Sequence, residues 1–103
     1  MLMKGYCFMV SKNQKELLEF LGANYFMKTI DGEPCICYKI NPCYEIEISG
    51  TKHKNNPIGV YVWDLSQGDG PHAKMVERLF NFSNKFQLKE CLDTLIVKYQ
   101  DLT

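Results

Sequence analysis

Asp31-Gly32 stands between two runs of strand-forming residues, Tyr25 to Ile30 and Cys35 to Ile40. Both turn positions tolerate positive φ, which a two-residue loop needs if it is to match the twist of the strands it joins. The pair therefore commits the middle of the chain to an antiparallel hairpin. Pro34, with no N–H to give, weakens the first pairing of the second arm. Asn41-Pro42 marks another turn, and Cys43 to Ser49 then alternates cleanly between apolar and polar residues. That period of two sets Tyr44, Ile46 and Ile48 toward a core and Glu45 and Glu47 toward water. After a polar loop from Gly50 to Pro57, the β-branched and aromatic run Ile58 to Leu65 reads as a further strand.

Helical signals flank this meander. Ser11-Lys12-Asn13-Gln14 fits the capping box, in which hydroxyl and amide satisfy orphan N–H groups at a helix start. Leu17, Leu18 and Leu21 supply the apolar stripe and Gly22 a left-handed stop, giving a helix over about residues 12–22. Before it, Met3 to Val10 is a nearly all-apolar run and reads as a buried strand. Pro71 suits a first helical position, and Val76, Leu79 and Phe80 recur at helical spacing, which predicts a helix near 71–82. Ser83 or Asn84 then caps a last helix whose stripe is Leu88, Leu92, Leu95, Ile96 and Tyr99. That stripe is wide enough to pack on a sheet, and would serve equally as a dimer seam.

The expected order is βαββββαα. Short connections make successive strands pair antiparallel, so the 103 residues are expected to form one α+β domain. Its antiparallel sheet has about five strands, with the helices packed mainly on one face. In element order, a strand, a helix and then an antiparallel meander, the chain resembles helix-grip folds of the cystatin kind. Fold analogy of this sort carries no function.

Charge and composition exclude several classes of activity. Twelve basic residues balance twelve acidic ones, which argues against a polyanion binder working by bulk charge and against an acidic DNA mimic. Arg78 is the sole arginine, so the bidentate contacts that read guanine are nearly absent and sequence-specific DNA binding is not expected. The surplus of Lys, Asn, Ile, Tyr and Phe has the look of an AT-rich genome. No stretch approaches the roughly 20 apolar residues that span a bilayer. Met1-Leu2-Met3-Lys4-Gly5 does not read as a signal sequence, so none is expected, and the five cysteines, Cys7, Cys35, Cys37, Cys43 and Cys91, form no even framework. These features read as reduced thiols in a cytoplasmic protein with no membrane partner.

Three patches invite a chemical reading. Cys35, Cys37 and Cys43 with His53 are zinc-type ligands, but the C-x-C spacing lacks the pre-bent C-x2-C knuckle, and free thiols are expected instead. No motif sets His53 or His72 beside a cysteine as a general base. Asp64 to His72 gathers Asp64, Asp69 and His72 with flexible glycines, enough for a divalent metal or for an ordinary capped loop. Its glycines fit no nucleotide-binding pattern, so no cofactor is expected. Lys52, His53 and Lys54 make a small basic loop without the interleaved aromatics of single-strand binders.

Alternation also sorts the sheet faces. With Ile58, Val60 and Val62 under the helices, Tyr61 and Trp63 lie outside, beside Glu45 and Glu47 and on the face of Cys35, Cys37 and Lys39. Aromatic anchors within a polar surround have the composition of a protein-binding patch. The expected function is a non-catalytic protein-binding module, a small phage or mobile-element accessory protein that inhibits a host enzyme such as a CRISPR-type defence nuclease. Its expected contact residues are Tyr61, Trp63, Glu45, Glu47, Asp64, Gln67, Asp69, Lys52, His53 and Lys54. The same face could instead be covered, by the C-terminal helices wrapping under it or by a homodimer, which would make Trp63 simply core. The alternatives are a nucleic-acid-associated regulator using the lysines, and a small metal-dependent enzyme built on the 64–72 loop.

Overall fold

The computed structural model describes residues 10–102. Helix α1 (Lys12–Leu21) leads into β1 (Tyr25–Ile30), β2 (Glu33–Asn41), β3 (Tyr44–Ser49) and β4 (Gly59–Asp64). A 3-10 turn over Gly70–His72 precedes β5 (Lys74–Leu79), and α2 (Lys85–Tyr99) follows it. The five strands are antiparallel and lie in the order of the sequence, β1-β2-β3-β4-β5. Among the described residues the α+β architecture thus has one helix before the sheet and one after it. The strand expected over Met3 to Val10 falls, apart from Val10, outside the described residues.

The Asp31-Gly32 hairpin forms as expected. Both residues have positive φ, 52° and 78°, and Ile30 pairs directly with Glu33. The next turn is built by Asn41, whose Oδ1 accepts from the backbone of Cys43 at 2.8 Å and Tyr44 at 3.0 Å. Its Nδ2 reaches across to the end of α2 and donates to the carbonyls of Tyr99, Gln100 and Leu102. One amide side chain therefore shapes a hairpin and satisfies the orphan carbonyls of a helix terminus.

The segment 71–82 is built around a strand, β5, between the end of a 3-10 turn and an irregular stretch, which corrects the helix expected there. β5 pairs with β4 from Val60↔Leu79 to Asp64↔Lys74, with a register shift between Val62 and Trp63. Val76 is the extra residue of a bulge at that point, and the bulge breaks the period of two that would have marked the strand. Lys, Met, Glu, Arg and Leu are also good helix formers, so local preference and tertiary pairing conflict here, and pairing wins.

Ile36, Ile46, Ile48, Val60 and Val62 project from one sheet face into a core completed by Leu17 and Leu21 of α1 and Leu88, Leu92, Leu95 and Tyr99 of α2. The α2 stripe is thus used internally rather than as a dimer seam. α1 is fixed at its start by the expected capping box: Ser11 Oγ accepts from Gln14 N, and Gln14 Oε1 from Ser11 N. Gln14 is fully buried, and its Nε2 donates to the Pro34 carbonyl at 3.1 Å and to Thr51 Oγ1 at 3.2 Å. Gly50, at φ +75°, lets the backbone turn past Pro57, whose carbonyl oxygen would lie 2.0 Å from an added Cβ.

At the other end of the core Glu77 of β5 clips α2. Its Oε2 accepts from Lys98 Nζ at 2.7 Å and from the Tyr99 hydroxyl. Burial alone would raise the Glu77 carboxyl, but these two donors outweigh it and hold the group below its ordinary value of 4.5. Burial, and then Glu77, push the Tyr99 phenol upward, so it remains a donor.

Two outcomes follow from this framework. Gln14→Ala leaves the Thr51 and Pro34 acceptors unpaired and is expected to lower unfolding free energy by about 2–3 kcal/mol in urea titrations. A depressed carboxyl contributes stability that is complete above pH 4.5 and lost as pH falls through its lower native value. Urea midpoints followed from about pH 6 to about pH 2 should therefore drop more steeply in the wild type than in Glu77→Gln. Parallel profiles would remove Glu77 from the acid response.

Candidate functional site

The sheet face turned away from the helices carries the residues singled out for binding. Glu45 lies opposite Trp63 and Glu47 opposite Tyr61, while Cys37 faces Glu47 from β2 and Cys35 pairs with Lys28 of β1. The expected sorting of faces holds. The two glutamates, however, do not face water: Glu45 is 5 % exposed and Glu47 8 %. Each is held by specific donors instead. Lys28 Nζ reaches Glu45 Oε2 at 2.7 Å, and Trp63 Nε1 donates to Glu47 Oε1 at 2.9 Å. Alternation fixed the direction of these side chains, but their burial depends on neighbours across three strands.

Lys28 also contacts Asp69 Oδ2 at 3.3 Å, which fastens the 65–73 loop over one end of the face. Burial pulls the Lys28 ammonium down, but its hydrogen bonds and attraction to Glu45 and then Asp69 outweigh burial and raise it. Beneath this loop lies a cleft of about 590 Å³ lined by Lys28, Glu45, Glu47, Trp63, Leu65 and Asp69, among others.

Asp64 and Asp69 are engaged with backbone. Asp64 Oδ1 accepts from Ser66 N at 2.8 Å and Asp69 Oδ1 from Gly70 N at 2.7 Å, the latter capping the 3-10 turn. Both carboxyls sit below the usual range, Asp64 chiefly through Ser66 and Asp69 through Gly70 and then Lys28. The structure does not gather Asp64, Asp69 and His72 into a ligand set, nor Cys35, Cys37, Cys43 and His53. Among the described residues no three His, Cys, Asp or Glu side chains come close enough to hold a metal ion. Gln67 and His72 are exposed on the same loop.

Lys52, His53 and Lys54 are exposed on the loop at the Gly59 end of β4, while Asp64 ends the strand and Gln67 and Asp69 lie on the loop beyond it. Six residues of strand separate the two loops by roughly 17 Å. Lys54 lines a different cleft, with Asn13 and Glu16 of α1 and Phe82. Six of the ten contact residues named from sequence thus fall into two groups, with Tyr61, Trp63, Glu45 and Glu47 between them.

Reading 71–82 as a helix concealed the part of the face that is most exposed. Arg78 lies opposite Tyr61 and Met75 opposite Trp63. Phe80 packs edge-on against Tyr61 with ring centroids 5.8 Å apart, and the Arg78 guanidinium stands 5.4 Å from the Phe80 centroid. Gly59 makes room for both rings: a Cβ there would lie 2.8 Å from Phe80 and 2.9 Å from the Tyr61 hydroxyl. Met75, Val76 and Phe80 are all exposed, and Tyr61 and Trp63 are half-buried. The signal in the sequence was Gly59, a strand glycine two residues before an aromatic, which often marks close approach by a ring.

The described cysteines are free thiols. Burial, reinforced by Glu47, pushes Cys35 up to about 12, and burial with Glu45 raises Cys37 further. A thiol reacts as its thiolate, so neither is a nucleophile at neutral pH. Iodoacetamide treatment of the native protein at about pH 8, read by peptide mass mapping, should leave Cys35 and Cys37 unmodified until denaturant is added. Labelling of either at the rate of an unfolded peptide would contradict this burial.

No protein-family model matches the chain, and no curated protein or solved structure matches it.

Proposed function

We propose that the chain is a non-catalytic protein-binding module that acts in the cytoplasm through the outer face of its sheet. The observation that carries this reading is the composition of the exposed strip along β4 and β5. Tyr61, Trp63, Arg78 and Phe80, with Met75 at its margin, are the residue types enriched in interface centres. The strip is also stiff. Tyr61, Phe80 and Arg78 brace one another, and the Trp63 indole is pinned by Glu47, so little side-chain freedom remains to be lost on binding.

In its narrower form the proposal is a small phage or mobile-element accessory protein that occludes a host enzyme, such as a CRISPR-type defence nuclease. Small size, AT-rich composition and the absence of net charge support that form, and the neutral total favours steric occlusion over mimicry of DNA.

The test is affinity purification of the tagged chain from an AT-rich bacterial host at low and high salt, beside a Phe80→Asp variant. Phe80 is exposed, so this substitution spares the core. A stoichiometric protein that survives high salt with the wild type and is lost with Phe80→Asp is the expected result. Nucleic acid released as salt rises would replace the proposal with a regulator working through Lys52, Lys54 and the helix lysines. A protein captured equally by both forms would move the contact away from this face.

A further inference from the structure

β5 pairs with β4 on one side only, which makes it an edge of the sheet among the described residues. Edge strands offer unpaired N–H and C=O groups to any chain of matching pattern, and proteins blunt them with charges, proline or a bulge that twists them away. Here the bulge at Val76 has another effect. It leaves two consecutive apolar residues, Met75 (46 % exposed) and Val76 (43 %), open to solvent between a lysine and a glutamate.

The sequence Lys74-Met75-Val76-Glu77 is self-complementary when laid antiparallel on itself: Lys74 meets Glu77 of the second copy, and Met75 meets Val76. Opposed residues of an antiparallel pair share a face. Lys74 lies across from Asp64 and Glu77 across from Val62, two residues apart on β4, so both project to the helix side. Other registers fare worse. Those centred on Glu77 or Arg78 bring like charges together, and one that opposes Glu77 to Arg78 sets a helix-side residue against an outer-face one. The acceptor is also in place. Glu77 Oε2 takes both Lys98 and Tyr99, which leaves Oε1 without a hydrogen bond among the described residues. Lys74 makes no ion pair among them either.

We infer that the chain forms a two-fold homodimer through β5, joining the two sheets, each with five described strands, into one continuous sheet with reciprocal Lys74–Glu77 pairs across the seam. The interface is isologous and uses each charge once per copy. Because Met75 lies opposite Trp63, the dimer sets the two Tyr61/Trp63 faces side by side on one continuous surface.

Sedimentation velocity of the full chain up to about 0.5 mM should show a concentration-dependent dimer. Lys74→Glu and Glu77→Lys should each weaken it by about tenfold or more, since each places like charges opposite one another twice. An equimolar mixture of the two variants restores both opposite-charge pairs and should dimerise more strongly than either alone. Glu77→Lys also loses the clip to α2, so Met75→Asp, exposed and outside that clip, is the second variant and should disperse the dimer while keeping the wild-type circular dichroism. A wild type that stays monomeric throughout would overturn the inference. So would a dimer that Lys74→Glu and Met75→Asp leave unchanged, or a mixture no more associated than its components.

Discussion

The register of β3 is the constraint on which the rest of the molecule depends. Ile46 and Ile48 sit at the centre of the core, while Glu45 and Glu47 occupy the opposite face of the same six residues. A slip of one position would carry two carboxylates beneath the helices and two isoleucines away from them. The turns on either side hold the strand against such a slip. Asn41 fixes its start through two backbone hydrogen bonds, and Gly50 admits Pro57 at its end. Everything beyond β3 inherits this setting, since β2 and β4 align their core residues to it.

Much of this was legible in the sequence because local chemistry and tertiary demand agree there. The Asp31-Gly32 turn, the Ser11/Gln14 box, the Cys43–Ser49 alternation and the Leu88–Tyr99 stripe each state one conformation, and the chain adopts it. The segment 71–82 was not legible. Its Val76, Leu79 and Phe80 fall at helical spacing, while the bulge at Val76 interrupts strand alternation, and a bulge is a property of two strands together.

The candidate site divides along the same line. Tyr61 and Trp63 could be placed on the outer face from alternation alone, as could Glu45 and Glu47. The burial of those glutamates could not, because it depends on Lys28 from β1 and Trp63 from β4, brought together only by pairing. Two carboxylates in that position require a donor each, and the fold provides an ammonium and an indole N–H. The Arg78 and Phe80 contribution was hidden by the misread helix. With it, the face changes from two aromatics among acids to a braced aromatic strip with a cation at its margin.

The strands lie side by side in the order in which they are made. Each new strand of the nascent chain finds its partner immediately behind it, so the loops to be closed are short and the sheet can grow by successive additions. The helices are the exception. Phe20 of α1 meets Phe86 of α2 at a centroid distance of 5.3 Å, near the two ends of the described chain. The apolar side of the sheet is therefore exposed until α2 has been synthesised and docked. Until α2 docks, the part of that face it covers is open to other chains, and exposed apolar faces of this kind invite aggregation.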